Sequence, residues 1–471
     1  MIASLNDDRF TQRRVLHLED QIRSHLNVTR EKAILAACLL PTMEVDPHDP
    51  LGELRSLADT AGAIVVDELI QHKSVVDVAT FMGSGKVVEL AEMVRAHKAQ
   101  VVVFENDLSP SQIANIEEVC ECKVLDRSEL ILDIFAARAR TKEAKLQVEY
   151  AQLEYTYPRL RAMWSHLERI VGGAPTGIGT RGPGEQQLEI DRRIVQKKMG
   201  NLRNEIKDLQ SRKEREVAKR NQDYFTAGLV GYTNAGKSTL FNTATGAGTY
   251  ADDKLFATLS TKTRRWDLGD GDALMLSDTV GFVRDLPHNL IASFKATLEE
   301  AIHSDMLLIV LDVAHHRARQ QLDTVLKVLE EIGAKDQERL LVLNKVDLVE
   351  HNADLLVFAQ EFPDHVCVSA KTGRGMNDLV ERVRRSARGA DRLLTLAVDI
   401  ADGKALSFIE TRSQVIEREY QEKQVVYKVQ IGQRRFDQLR AMGAKMQVLD
   451  GLTAAEKAGR PAWSVRSEGE R

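Results

Sequence analysis

The sequence predicts an α/β chain of several domains, and three observations carry that expectation. Residues 231 to 238, Gly-Tyr-Thr-Asn-Ala-Gly-Lys-Ser, fit the phosphate-loop pattern G-x-x-x-x-G-K-[ST] at every fixed position and follow an apolar run, Phe225 to Val230, that reads as a strand. Further apolar runs downstream each end in a short polar motif, as the loops of an open α/β sheet do. Upstream, apolar residues recur at helical spacing on both sides of a glycine-rich stretch.

In the phosphate loop, the backbone N–H groups of Gly231, Tyr232, Thr233, Asn234, Ala235 and Gly236 are placed to wrap a phosphate, with Thr239 just inside the following helix. Lys237 reaches the outer phosphates and Ser238 is a ligand for Mg²⁺. Asp278-Thr279-Val280-Gly281 ends the run Ala273 to Leu276, where the carboxylate holds Mg²⁺ through water and a glycine N–H meets the γ-phosphate. Asn344-Lys345-Val346-Asp347 ends the run Leu340 to Leu343, and Ser369-Ala370-Lys371 ends His365 to Val368.

The base follows from the hydrogen-bond inventory. Guanine offers an N1–H and an exocyclic amine on one edge, and an ionised carboxylate accepts only, so Asp347 takes both protons and the site selects GTP over ATP. Asn344 braces the loops or meets the other guanine edge, Lys345 covers the ring, and the Ala370 N–H donates to the base carbonyl. The third magnesium ligand is expected in the mobile segment Leu255 to Thr263, with Thr258 preferred to Thr261, and with Phe256, Ala257, Leu259 and Ser260 also beside the nucleotide. Phe282 stands where a Ras-type enzyme carries the glutamine that orients water, so intrinsic turnover should be slow and no catalytic residue is assigned.

Length and composition set the frame. The chain has 471 residues with 43% hydrophobic and 29% charged, enough for three or four domains of a soluble globular protein. No apolar stretch has membrane-spanning length, and the first residues lack the basic head and apolar core of a signal peptide. A cytoplasmic, monomeric protein is expected, with at most peripheral membrane association. Cys38, Cys120, Cys122 and Cys367 are too scattered for a four-ligand zinc site, and His315-His316 reads as a solvated loop pair.

Residues 1–136 alternate apolar runs (Ala63 to Val66, Val101 to Phe104) with helical patterns (Val87 to His97, Ser111 to Val119), an N-terminal α/β domain. Within it, Phe81 to Lys86 resembles a phosphate loop only superficially, lacking the first glycine and the hydroxyl after the lysine. Over 137–222, Leu146, Tyr150, Leu153, Tyr157, Leu160, Trp164 and Leu167 form one seam, and Val195, Met199, Leu202, Ile206 and Leu209 form another. Two long helices in an antiparallel hairpin are expected, the first kinked at Pro158. The tip loop 171–184 holds six glycines and two prolines in fourteen residues, too many for a self-supporting core. The segment 223–390 is the P-loop GTPase domain, and 391–471 is a small C-terminal α+β domain and tail, with helices near Lys404 to Arg412 and Arg435 to Met442.

Charge points to a partner. Residues 138–220 carry nineteen Arg and Lys against eleven Asp and Glu, a net of +8, whereas the whole chain is −5. A concentrated positive element on an acidic protein suits a phosphate backbone. Gly177, Gly179, Arg181, Gly182 and Gly184 at the tip, with Arg192, Arg193, Lys197 and Lys198 beyond it, are the candidate RNA contacts.

Gly172-Gly173, Gly177 to Glu185 and Leu188 to Arg193 resemble the signature of the HflX family of ribosome-associated GTPases, and Gly231 to Leu240 and Asp278 to His288 agree with it. The resemblance covers roughly residues 60 to 385 and implies binding to the large ribosomal subunit and its rRNA, not DNA. It further implies ribosome-stimulated hydrolysis of GTP to GDP, and splitting of stalled ribosomes under stress. An assembly factor for the large subunit, or a GTP-dependent switch acting on a protein such as a membrane protease, are the competing expectations. Leu259-Ser260-Thr261-Lys262 departs from the family's usual Leu-Asp-Pro-Thr, and Gln186 replaces a usual threonine. In related GTPases an asparagine at the position of Asn234 helps hold K⁺ in place of an arginine finger; the alternative here is an Asn that only stabilises the loop.

Overall fold

A computed structural model describes residues 30–43, 45–157, 183–246, 255–256, 261–269, 271–284, 301–334, 337–349, 353–389 and 391–450. Among the sequence expectations, Pro158, Leu160, Trp164, Leu167, most of the tip loop with Gly177, Gly179, Arg181 and Gly182, and Ala257, Thr258, Leu259 and Ser260 lie outside the described residues.

The N-terminal unit contains β1 (Lys32–Leu39), α1 (Gly52–Ala61), β2 (Ile64–His72), α2 (Ser84–His97), β3 (Val101–Phe104), α3 (Pro110–Cys120), β4 (Lys123–Asp126) and α4 (Arg127–Arg138). Its four strands form a parallel sheet in the order β2-β1-β3-β4. β1 and β3 are buried almost throughout, which explains their unbroken apolar runs, since a parallel sheet is covered on both faces. Ser109 starts α3 and Asp126 starts α4, each through a reciprocal capping box with the residue three positions on. The phosphate-loop-like run ends as an ordinary helix start: the Gly83 N–H donates to Gln71 Oε1 at 2.9 Å, and Lys86 pairs with Glu89.

Two helices follow, α5 (Lys142–Thr156) and α6 (Pro183–Asp223). They are in contact along their length: Val195, Leu202 and Ile206 of α6 are buried, and Leu146, Tyr150 and Tyr157 pack beside them. Lys142–Glu205 and Lys213–Glu143 pairs flank this seam. The opposite face of α5, with Ala144, Val148 and Ala151, is buried in the same core as α1 and α4. Tyr155 on α5 donates to Asp126 at 2.5 Å, which ties the helix to the first sheet.

The central domain holds β5 (Phe225–Gly231), α7 (Lys237–Thr245), β6 (Lys262–Gly269), β7 (Asp272–Asp278), β8 (Met306–Asp312), α8 (Ala318–Glu331), β9 (Glu338–Asn344), α9 (Ala353–Glu361), β10 (His365–Cys367) and α10 (Met376–Arg388). Strand order is β10-β9-β8-β5-β7-β6, parallel except for the β6–β7 hairpin. Strand β5 lies between β8 and β7, so the chain winds away from it in both directions. The crevice beyond its carboxyl end is where ligands of such sheets bind. The face of this sheet that carries Val230, Leu307 and Leu341 shares one hydrophobic core with the N-terminal sheet and α5.

The C-terminal unit is β11 (Asp391–Asp399), α11 (Gly403–Arg412), β12 (Gln414–Tyr420), β13 (Gln424–Gly432), α12 (Gln433–Ala441) and β14 (Met446–Asp450), with an antiparallel sheet ordered β12-β13-β11-β14. Its own core, centred on Tyr427 and Phe436, is separate from the others. Among the described residues no helix is long and apolar enough to cross a membrane. Cys120 and Cys122 are free thiols whose pKa values burial pushes up to about 11 and about 12, and the described residues hold no cluster of three or more His, Cys, Asp or Glu placed to bind a metal ion.

Candidate functional site

The phosphate loop runs from the end of β5 into α7. Asn234 and Gly236 adopt positive φ (59° and 92°), turning the backbone sharply before the helix begins at Lys237. A side chain on Gly236 would meet the Asn344 amide nitrogen at 2.3 Å, so only glycine fits. Lys237 is 6% exposed, and its ammonium donates to the Gly231 and Tyr232 carbonyls at 3.0 and 2.8 Å. Burial draws its pKa down to about 8, with Asp278 opposing the shift. The ammonium is thus held among loop carbonyls, in a site that an anionic phosphate complements.

At the end of β7, Asp278 is 1% exposed and accepts from the Ser238 hydroxyl at 2.8 Å. A carboxylate and a hydroxyl held together at the root of the phosphate loop are hard oxygen ligands, and this donor set fits Mg²⁺. Thr279 turns inward, donating to the Leu229 carbonyl at 2.6 Å. Gly281 lies against the loop so closely that a Cβ there would approach Thr233 Cα at 2.8 Å and Lys237 Nζ at 3.0 Å. Phe282 then zips onto β5: the Thr233 N–H donates to the Phe282 carbonyl at 2.7 Å and the Phe282 N–H to Gly231 at 3.1 Å. Its ring is buried and carries no polar atom that could orient water.

The two base-reading loops meet through Asn344. Its amide donates to the Ala235 carbonyl at 2.8 Å and accepts the Ala370 N–H at 3.0 Å. In this structure Asn344 therefore links the phosphate loop to the loop after β10, with the Ala370 N–H resting on its amide oxygen. Lys345 sits at φ 62° with its ammonium 2.7 Å from Asp312. Val346 is buried beneath it, while Asp347 is exposed, and a hydrogen bond from the buried Ser369 holds the Asp347 carboxyl below its usual pKa. Lys371 is exposed beside them.

The N-terminal unit grips this site in a way the sequence alone did not disclose. Phe256 is 1% exposed, meets Phe135 of α4 edge to face at 4.5 Å, donates its N–H to Thr233 at 3.0 Å, and receives Arg138 on its carbonyl at 3.2 Å. Glu53, Glu105, Arg127, Tyr232 and Arg284 form a buried polar cluster. Arg127 donates to Glu105 at 2.6 Å, to Glu53 at 2.7 Å and to the Arg284 carbonyl at 2.9 Å. Arg284 itself reaches Glu105. Burial pushes the Glu53 carboxyl up, but Arg127 and Arg284 outweigh it and hold the pKa below the usual value. A cavity of about 320 Å³ adjoins this cluster, lined by Asn234, Asp49 and Gln321 among others. His315 and His316 also border it, stacked at 4.6 Å, with His316 against Asp46. The histidine pair borders this domain junction, with His315 half-buried and His316 exposed, as a solvated loop residue would be.

On α6, Arg192, Arg193 and Lys197 are exposed, with Arg192 over the Tyr157 ring at 5.2 Å. Lys198, grouped with them from sequence, faces α5 and pairs with Glu149 at 2.5 Å. Burial lowers its pKa to about 8. Gly184 lies in the first turn of α6.

Residues 48–136 match a family model described as GTP-binding GTPase N-terminal, 138–220 one described as GTP-binding GTPase middle region, and 226–345 one described as 50S ribosome-binding GTPase. GTPase HflX of Escherichia coli K12 is 44% identical over 401 residues, covering 83% of this chain and 91% of that protein. GTPase HflX of Lacrimispora saccharolytica is 40% identical over 396 residues, covering 83% and 92%. A crystal structure of SsGBP in complex with GDP is 24% identical and covers 76% of this chain and 98% of that one, with a TM-score of 0.45. With a phosphate loop, a magnesium-type oxygen pair and relatives of this identity along most of its length, the chain belongs to the HflX family of GTPases.

Proposed function

We propose that this GTPase binds the large ribosomal subunit in its GTP state and splits stalled or idle ribosomes. The observation that carries this reading is the docking of both nucleotide-flanking segments, Phe256 and Arg284, on the unit that also buries one face of α5, the first helix of the hairpin. A change at the γ-phosphate position would reach the hairpin through packed side chains and not through a flexible linker. The positive excess of the hairpin then supplies salt-sensitive contacts to rRNA, with Arg192, Arg193 and Lys197 among them and Lys198 reserved for the helix seam.

Within the nucleotide site, residues 231–239 cradle the phosphates, with Lys237 on the outer ones. Ser238 and, through water, Asp278 would hold Mg²⁺, joined by Thr258 from the segment 256–260. Gly281 meets the γ-phosphate, and Asn344, Asp347 and Ala370 with their neighbours form the guanine pocket. The metal would neutralise charge between the outer phosphates. Work on cytoplasmic ribosomes fits a chain with no membrane-spanning helix among its described residues.

Sucrose-gradient sedimentation of intact ribosomes with the protein and a non-hydrolysable GTP analogue tests this. Splitting converts the ribosome peak into subunits with protein on the large one. Co-sedimentation with large subunits while intact ribosomes persist indicates an assembly factor, and no co-sedimentation at all leaves a switch that acts on another protein.

A further inference from the structure

We propose that the cleft between the nucleotide-binding domain and the C-terminal unit binds the phosphodiester backbone of single-stranded RNA. The inference rests on the reading above that the protein works on an RNA-containing particle, and it names a second contact surface, far in sequence from the hairpin tip.

The cleft is a cavity of about 390 Å³. Tyr224, Phe225 and Arg265 line one side; Arg412, Arg434 and Arg435 line the other, with Asp272 and Asp437 as the acidic members. The charges do not balance. Arg388 holds Asp272 at 2.6 Å and Arg435 also contacts it, so one buried carboxylate faces two guanidiniums. Arg434 is fixed over the Phe225 ring at 4.3 Å and pairs with Asp305 at 3.0 Å. Arg265 and Arg412 are exposed, and among the described residues neither has a carboxylate partner. Glue between domains would not need them. Burial also draws the Arg435 pKa down, a cost that an anion in the cleft would offset.

Two features favour RNA over a small anion or an acidic peptide. Planar guanidiniums beside aromatic rings match alternating phosphates and bases, and Tyr224 is 44% exposed, leaving a ring face for stacking. The position is also apt. Tyr224 directly follows Asp223, the last residue of α6, so the cleft sits at the root of the basic hairpin. Strand β6, which carries Arg265, begins at Lys262, opposite Asp278 in the ladder. A strand bound in the cleft would therefore touch the element that continues from the magnesium carboxylate.

The test uses the full chain with a non-hydrolysable GTP analogue and a fluorescein-labelled twelve-nucleotide oligouridine, followed by anisotropy over a salt series. Arg265→Glu/Arg412→Glu is compared with Lys98→Glu/Lys327→Glu, which changes net charge equally at exposed lysines elsewhere. Two lost phosphate contacts should flatten the log–log salt slope by about 1.4 and weaken binding about tenfold at low salt, with the lysine variant near wild type. The gentler Arg265→Gln/Arg412→Gln pair should show the same loss of slope if the reversal disturbs folding. Equal loss in both double variants, an unchanged cleft variant, or capture of polyglutamate in place of oligouridine overturns the proposal. Ribosome pelleting of the same proteins separates the two claims: normal pelleting with an unchanged RNA slope removes only the cleft. Failure of wild type to pellet in every nucleotide state removes the ribosomal reading, while the oligouridine slopes still decide the cleft.

Discussion

The Tyr232 hydroxyl, on the second residue of the phosphate loop, donates to Glu53 at 2.8 Å across a sequence separation of 179 residues. The same oxygen accepts the Arg284 N–H at 2.8 Å, so one phenol joins the phosphate loop, the segment after Gly281 and the first helix of the N-terminal unit. Tyr232→Phe removes the oxygen that accepts the half-buried Arg284 N–H and one of two donors to Glu53 Oε1, Arg127 keeping the other. It should cost about 1–3 kcal/mol, read as a lower urea midpoint at unchanged slope. Wild-type stability would mean that the junction is hydrated or open in solution.

Lys237 makes nucleotide binding sensitive to alkaline pH. Its folded pKa of about 8 lies below the unfolded 10.5, so between these values the unfolded chain binds more protons and the nucleotide-free fold gains stability as pH rises. Triphosphate binding has the opposite sign, because it needs the ammonium. Affinity should be flat below about pH 8 and fall as much as tenfold per unit above it, with proton uptake visible by calorimetry in buffers of different ionisation enthalpy. Flat affinity to pH 9.5 would contradict the burial of this amine.

The proposed guanine pocket assigns the base amine to Asp347. Inosine triphosphate lacks that amine, so wild type should prefer GTP to it, and Asp347→Asn should shrink the preference toward unity. Competition against a fluorescent GTP analogue measures both ratios. An unchanged ratio moves base recognition elsewhere.

Asn234 and the buried Phe282 leave water activation to something other than a glutamine. If a monovalent cation serves, turnover in K⁺ exceeds that in Na⁺ at equal ionic strength, and Asn234→Ala removes the difference. Equal rates in both salts exclude the ion.

The nucleotide loops were legible because their chemistry is local: each motif ends its own strand, and β5, β7, β9 and β10 carry them to one edge of the sheet. The α5–α6 seam was legible for the same reason, since heptad spacing is local. Glu53, Glu105 and Arg127 were not. Each sits in a segment that reads as an ordinary capped helix start or strand end, and its burial depends on contacts with residues up to 231 positions away, the separation of Glu53 and Arg284. Lys198 shows the same limit, because a lysine beside three exposed basic residues looks like a fourth until Glu149 is placed opposite it. The sequence reading names no strand at β1, β4, β6, β8 or β14, though the runs Ala33 to Leu39 and Met306 to Leu311 carry signals as strong as that of β3.

In the proposed function, nucleotide state sensed between Lys237, Asp278 and Gly281 sets how the hairpin engages the large subunit. Equilibrium affinity of the labelled protein for purified large subunits, measured empty, with GDP and with a non-hydrolysable GTP analogue, tests it most directly. At least tenfold tighter binding in the triphosphate state is the predicted result; the same affinity in all three states would contradict the account.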